Sequence, residues 1–358
     1  MTKRAALILA GGKAHRFQTT DQSWQDKALA LLEDKPLLIH IIENITTIVD
    51  EIIICTNQEE RKIKYHNILE KHKIEAKIVT DEKTNVNGPN AAILTGLKNT
   101  QADICITIPC DMPFIKPNVA DHLLNLAKNF DIVMPIWPNG ELETLIMTLQ
   151  HAKEKEIIQT LCQLKRTRPN DIPRATPKTL LSTPLKTIKI IDPALKSFIN
   201  INTQNDLKKL QTRNTQGPIQ EDIQLIQKED NLISNLQQMR NAAKMYQENQ
   251  LIVAQEKFDQ CKNHFEKCDN FFWTALSSEN KGKTLLKQIK QQKENNQQAI
   301  LEFGTKYKEA CTNATHQYNK EIRIYKKHQC TRLLERAIAD KQQVLNNSRM
   351  LYSAIKKL

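Results

Sequence analysis

Four short stretches of this chain carry residue types that could handle a phosphorylated ligand. Leu9-Ala10-Gly11-Gly12 ends an apolar run. Two adjacent glycines there let a backbone approach a ligand closely, with its N–H groups turned toward phosphate oxygens. Arg16 adds a guanidinium able to grip a phosphate through two hydrogen bonds. Asp26-Lys27-Ala28-Leu29 supplies an ammonium that can neutralise triphosphate charge. A plain tight turn explains Gly-Gly equally well, and no GKS or GKT follows to make a Walker loop. The third stretch is Ile108-Pro109-Cys110-Asp111-Met112-Pro113. A carboxylate at the carboxyl end of a parallel strand lies where open α/β sheets bind ligands. Asp111 is thus a natural Mg²⁺ ligand, since Mg²⁺ takes one or two carboxylates together with phosphate oxygens and water; the plainer alternative is a solvent-facing Asp at a strand end. Cys110 beside it reads as a small buried residue rather than a nucleophile. The fourth is Phe198-Ile199-Asn200-Ile201-Asn202-Thr203, which as a short strand places both amides on one side, with Thr203 set to cap a following helix. Such amides can hold an acceptor phosphate or a metal-bound water, or simply satisfy a sheet edge.

These residues need a frame. Strand-like runs are expected at Ala5–Leu9, Glu51–Thr56, Ala76–Thr80, Ile104–Ile108, Ile132–Ile136 and Thr187–Ile191, with helices over Pro36–Ile48, Glu59–Lys71, Ala91–Leu97 and Val119–Lys128. This alternation predicts an α/β fold, a doubly wound, mostly parallel, Rossmann-like sheet with helices on both faces. Twelve of the thirteen prolines precede residue 200; after Pro218 the chain has none and only two glycines, Gly282 and Gly304, a helical composition. Leu251, Ala254, Phe258, Cys261, Phe265, Cys268, Phe272 and Ala275 repeat at alternating four- and three-residue spacing, the seam of a packed helix. The spacing returns from Ile300 to Ala314. The expectation is a helical bundle or hairpin of three or four long helices, broken near Ser277–Gly282, and a division into domains 1–212 and 219–358.

Bulk properties narrow the function classes. Of the 358 residues 40% are hydrophobic and 26% charged, an ordinary globular composition. No apolar run is long enough to span a bilayer, and no secretory cleavage pattern follows Lys3 and Arg4, so a cytoplasmic protein is expected with its eight cysteines reduced. The net charge of +12 lies mostly in the second half. No aromatic–basic interleaving accompanies it, and nucleic-acid binding is disfavoured.

Taken in order, LAGG-x3-RF, DKAL, CDMP and NINT-x2-DL resemble the molybdenum cofactor guanylyltransferase family, within the nucleotidyltransferases, over about residues 3–210. The resemblance implies transfer of GMP from GTP to molybdopterin, with Mg²⁺ and release of pyrophosphate. It implies that Leu9, Ala10 and Gly11, with Gly12 beside them, line the guanine and phosphate site, and that Lys27 contacts the triphosphate, assisted by Arg16. Asn57 and Asp81 take the base-selecting, nucleotide-holding positions, Asp111 binds the metal, and Asn200 and Asn202 stand near acceptor and metal. The chain departs from the family pattern at Gln18, in the insertion Thr19–Gln25, in Gly88-Pro89-Asn90-Ala91-Ala92, where the pattern has glycine for Ala92, and around Gly140–Thr144. Two other readings remain open: the same chemistry with CTP or a different phosphorylated acceptor, and a nucleotide sensor whose helical half is the interaction module. The resemblance does not extend to that half; it is expected to form a homo-oligomer or to dock a molybdoenzyme or delivery partner.

Overall fold

The computed structural model describes residues 2–12, 26–81, 88–203, 206, 215–228, 230–292 and 296–355. They group into two units, residues 1–169 with 178–225, and residues 170–177 with 226–358.

The first unit is built on β1 (Arg4–Leu9), β4 (Glu51–Thr56), β5 (Lys77–Thr80) and β6 (Ile104–Pro109). These four run parallel in the order β6-β1-β4-β5. The apolar runs of β1, β4 and β6 are buried on both faces, as strands between two helical layers must be, whereas the edge strand β5 buries only Val79. On one side of this core lie β7 (Ile132–Pro135), β8 (Met147–Gln150), β9 (Lys178–Ser182) and β10 (Ile223–Ile226). They complete an eight-stranded sheet of order β10-β9-β7-β8-β6-β1-β4-β5, in which β8 alone is seen to run antiparallel to its neighbours β6 and β7. A two-strand ribbon, β2 (Leu31–Leu32) and β3 (Lys35–Pro36), stands apart. The α/β expectation holds, as a mostly parallel mixed sheet.

Helices α1 (Leu37–Ile45), α2 (Glu59–His72), α3 (Pro89–Lys98), α4 (Pro117–Leu126) and α5 (His151–Gln163) flank the sheet. Proline opens α3 and α4, where its missing N–H costs nothing. Gly96 lets α3 lie close on the sheet: a Cβ there would sit 2.9 Å from Leu7 Cδ1 and 3.0 Å from Cys55 Sγ. Thr187–Ile191, expected as a strand, is instead the single-turn helix α7, preceded by α6 (Ile172–Ala175). Only Ile188 of that turn is buried, against the α4 side of the core, and Ile190 is exposed. The β-branched composition there yields to tertiary packing, as β-propensity readily does.

The second unit holds α6 together with α8 (Leu232–Gln247), α9 (Leu251–Lys267), α10 (Phe271–Gln291), α11 (Gln297–Lys327) and α12 (Thr331–Ile355). Successive helices from α8 to α12 pack on one another, so among the described residues the long helices of this unit number five rather than three or four. The expected seam is buried throughout, from Leu251 to Ala275. The expected break at Ser277–Gly282 is absent. The chain turns instead at Asp269, which has φ 53°, and Asn270 restarts the helix by accepting a hydrogen bond from Trp273 N at 3.2 Å. At 277–282 the helix runs on, and Gly282 lies against the Tyr307 ring.

Arg174, wholly buried, organises this unit's polar interior. Its Nε and Nη2 reach the two oxygens of Glu321 at 2.6 and 2.7 Å, and Nη1 reaches Asp171 at 2.8 Å and Asp340 at 2.7 Å. Arg336 adds bonds of 3.0 and 3.1 Å to Asp171. Desolvation opposes the Arg174 charge, but Glu321 foremost, then Asp171 and Asp340, keep its pKa well above the ordinary value. The Phe272 ring lies 4.7 Å from the guanidinium.

Candidate functional site

The parallel strands all end at one edge of the first unit, and most of the expected residues collect there. Leu9 pairs in register with Cys55 on β4 and with Pro109 on β6, so the three strand ends lie side by side. Ala10 N donates to Cys55 O at 2.8 Å and Cys110 N to Leu9 O at 3.1 Å, extending the ladder just past the strands. Gly11 faces Asn57: a Cβ built on it would lie 3.5 Å from Asn57 Cβ. Asp81 N donates to Thr56 O at 2.8 Å, which places Asp81 beside the same edge. Burial raises the Asp81 pKa above the usual carboxylate range, partly offset by a hydrogen bond with Thr95.

Lys27, Asp111 and Asn202 meet. Lys27 Nζ donates to Asp111 Oδ2 at 2.6 Å and to Asn202 Oδ1 at 3.0 Å. The Lys27 and Asp111 side chains are 12% and 20% exposed, so the pair is reachable by a ligand. Asp26 starts the one-turn 3₁₀ helix Lys27–Leu29 by accepting from Ala28 N at 3.1 Å, and this sets the direction in which Lys27 leaves the backbone. Ile201 N donates to Asp111 O at 2.9 Å and pins the 200–202 stretch to the end of β6.

That stretch is not the strand anticipated. Residues 199–203 follow a 3₁₀ turn, Lys196–Phe198, and no strand among the described residues pairs with them. They are held instead by the burial of Ile199 and Ile201 and by the Asp111 carbonyl. Asp192 supports the turn by accepting from Ser197 N at 2.8 Å. Asn200 is half-buried next to this contact, whereas Asn202 reaches Lys27. Thr203 and Asp206 cap each other reciprocally, Asp206 N on Thr203 Oγ1 at 3.2 Å and Thr203 N on Asp206 Oδ2 at 2.8 Å. Arg16 and the insertion Thr19–Gln25 lie outside the described residues.

Residues 88–92, one departure from the family pattern, are tied to the 166–168 backbone. Gly88, with φ 124°, opens α3, and Asn90 is fully buried two residues on. Its Nδ2 donates to Arg166 O at 2.9 Å and to Arg168 O at 3.2 Å, so the side chain serves the 166–168 backbone. In the other departure, Glu143 is buried and accepts from the Trp137 indole N–H at 2.6 Å. Desolvation, followed by Asp111, pushes the Cys110 thiol up to about 12, which leaves it un-ionised and a poor nucleophile.

Sequence reasoning passed over Arg61 and Tyr65. Both lie on α2, and both are buried at the glycine loop. The available signal was positional: 61, 65 and 69 form the buried face of an otherwise polar helix, and an arginine occupied a place where an apolar residue was due.

Asp111 Oδ2 and Asn202 Oδ1 both accept from the Lys27 ammonium here, and no group of three or more His, Cys, Asp or Glu side chains able to hold a metal ion occurs among the described residues; Asp111 would serve Mg²⁺ as a single carboxylate, with phosphate oxygens and water supplying the rest.

The model of the MobA-like NTP transferase domain matches residues 6–176. A molybdenum cofactor guanylyltransferase of Haemophilus influenzae is 32% identical over 152 residues, which is 42% of this chain and 72% of that protein. A probable molybdenum cofactor guanylyltransferase of Methanosarcina mazei is 27% identical over 207 residues, 58% of this chain and 89% of that one. Among solved structures, molybdopterin-guanine dinucleotide biosynthesis protein A from Archaeoglobus fulgidus is 21% identical, with a TM-score of 0.47 over 57% of this chain and 95% of that chain. Through its first unit, the chain belongs to the MobA-like NTP transferase family and is a nucleotidyltransferase.

Proposed function

We propose that the chain transfers GMP from GTP to the phosphate of a molybdopterin-type acceptor, releasing pyrophosphate. The observation that carries this reading is the meeting of Lys27, Asp111 and Asn202 beside the Leu9–Gly12 loop at the carboxyl edge of the sheet. The names of the relatives support the base and the acceptor.

In this reading the 9–12 backbone receives the nucleotide, with Asn57 and Asp81 flanking the base side. Lys27 neutralises charge on the triphosphate, and Asn202 keeps its ammonium aimed there. Asp111 and substrate phosphates would hold Mg²⁺, which when bound supplies further charge neutralisation. An acceptor phosphate oxygen attacks the α-phosphorus in line. The bond from that phosphorus to the bridging oxygen breaks, and its electron pair departs with pyrophosphate. Positioning and electrostatics suffice, without a covalent nucleophile.

Pyrophosphate release by the full chain, with Mg²⁺ and molybdopterin, tests the reading across GTP, CTP, ATP and UTP. Turnover with GTP alone is the expected result; turnover with CTP alone keeps the chemistry and overturns the base. A protein that binds a nucleotide yet turns over none is a sensor or serves another acceptor.

For the helical half, 219–358, we propose assembly into a homo-oligomer, with docking of a molybdoenzyme as the alternative. Exposed Ile252, Val253 and Leu301 support an apolar contact there. Light scattering on the full chain gives a single-chain mass if self-assembly is wrong.

A further inference from the structure

Two segments contribute to the proposed nucleotide site from either side of residues 13–25: the loop ending at Gly12 and the turn beginning at Asp26. One face of α2 touches both. Arg61 Nη1 donates to Ala10 O at 2.8 Å and Nη2 to Gly12 O at 3.0 Å, so one planar guanidinium spans the loop's carbonyls. Its Nε stands 3.6 Å from Asp26 Oδ2, with both side chains more than nine-tenths buried. One helical turn later, the Tyr65 hydroxyl donates to the same Asp26 oxygen at 2.9 Å and lies 3.3 Å from Ala10 O. Asp26 uses its other oxygen to start the turn that carries Lys27.

This arrangement is more than packing. A loop that turns its N–H groups to phosphate turns carbonyls the other way, and buried carbonyls need donors. Arg61 supplies two in a fixed fork, which a lysine cannot reproduce. The carboxylate that orients Lys27 neutralises that guanidinium, so the loop and the lysine share one ionic anchor. Burial and the nearby Asp26 raise the Tyr65 pKa, keeping its hydroxyl a donor.

We infer that Arg61 and Tyr65 are positioning residues for the nucleotide: from α2 they lock the Ala10–Gly12 backbone and the Asp26–Lys27 step into one geometry, so that phosphate meets loop and ammonium together. The inference rests on the nucleotide-binding part of the function proposed above, and neither residue touches the ligand itself.

The test is GTP binding to the full chain, by calorimetry with Mg²⁺ and without acceptor. The variants are Tyr65→Phe, Arg61→Lys, Arg61→Met and the Tyr65→Phe/Arg61→Lys double, each with a thermal melt. Val119→Ala, a buried apolar truncation on α4 rather than α2, serves as a matched destabilised control. Tyr65→Phe should weaken binding severalfold and Arg61→Lys about tenfold, the size expected for hydrogen bonds to charged groups. Arg61→Met should be weaker than Arg61→Lys, and the double should lose less than the product of the singles because both act through Asp26. Tyr65→Phe, which removes one oxygen, keeps the test alive if the Arg61 variants fail to fold. Unchanged affinity in Tyr65→Phe and Arg61→Lys overturns the inference, as does an equal loss in Val119→Ala. If the wild-type chain binds none of the four nucleoside triphosphates, the functional reading falls and takes this inference with it.

Discussion

Two clusters of cations and carboxylates occupy the two units and differ mainly in exposure. At the sheet edge, Lys27 meets one carboxylate and one amide with both ionic side chains partly open to water. In the helical unit, Arg174 meets Asp171, Glu321 and Asp340 with almost none of any side chain open. The open pair can exchange its partners for a ligand at little cost, because water and phosphate can replace what is lost. The closed cluster cannot. Removing one member leaves charges stranded in low dielectric, so it secures a particular packing of α6 against α10, α11 and α12. Similar chemistry thus serves an exchangeable site in one unit and a permanent joint in the other.

The sharpest way to break this comparison is Arg174→Met. It strands Glu321, Asp171 and Asp340, and should destabilise the helical unit by about 3–5 kcal/mol, the cost of breaking a buried ion network. Chemical denaturation followed by far-ultraviolet circular dichroism reads this directly. A loss below 1 kcal/mol would mean the cluster is not the joint described.

Asp111→Ala should do the opposite. Turnover should fall about 10²–10³-fold, the scale of losing one preorganised electrostatic group, while the melting temperature hardly moves. Pyrophosphate release across a Mg²⁺ titration, beside a thermal melt, separates the two. Retained turnover would remove Asp111 from the site. Lys27→Met should cost less, about 10–10²-fold in kcat/KM, since Asp111 and the loop remain. A larger loss of stability than of rate would make Lys27 a structural residue.

The smallest expected effect concerns pH. Burial raises the Asp81 pKa in the folded chain, so folding disfavours its ionised form. The stability this group contributes is therefore full below its unfolded value and lost as pH rises through the folded one. Asp81→Asn should raise the melting temperature slightly at neutral pH, with the gain vanishing in acid below the usual carboxylate range. A gain that persists unchanged in acid would assign it to packing rather than charge.

Much of the frame was legible in local pattern. Glu51–Thr56 and Ile104–Ile108 are strands where β-branched runs said so, and the seam from Leu251 to Ala275 is buried as its spacing required. Asp111 was singled out as a carboxylate at a strand end, Lys27 as a cation downstream of the glycine loop and Asn202 as one of two amides expected on a short strand, and the structure brings Lys27 within hydrogen-bond reach of both others. Thr187–Ile191 read as a strand because propensity speaks only for itself, whereas a single-turn helix that buries Ile188 alone is what the packing there allows. The break expected at Ser277–Gly282 failed for a related reason. A glycine weakens a helix by only about 1 kcal/mol, and packing against Tyr307 offsets that.

By itself, then, the sequence determined what repeats over a few residues: the apolar runs of the parallel core, the helical character after Pro218, and the residue types offered at the strand ends. Only the tertiary structure decided which distant side chains share a charge. Arg61 finds Asp26 and the glycine-loop carbonyls, and Arg174, 147 residues before Glu321, groups with the helices rather than with the sheet that precedes it. The reason is physical. Apolar periodicity is written in neighbouring positions, whereas the partner of a buried charge is set by how the chain folds back and carries no mark in the residues beside it.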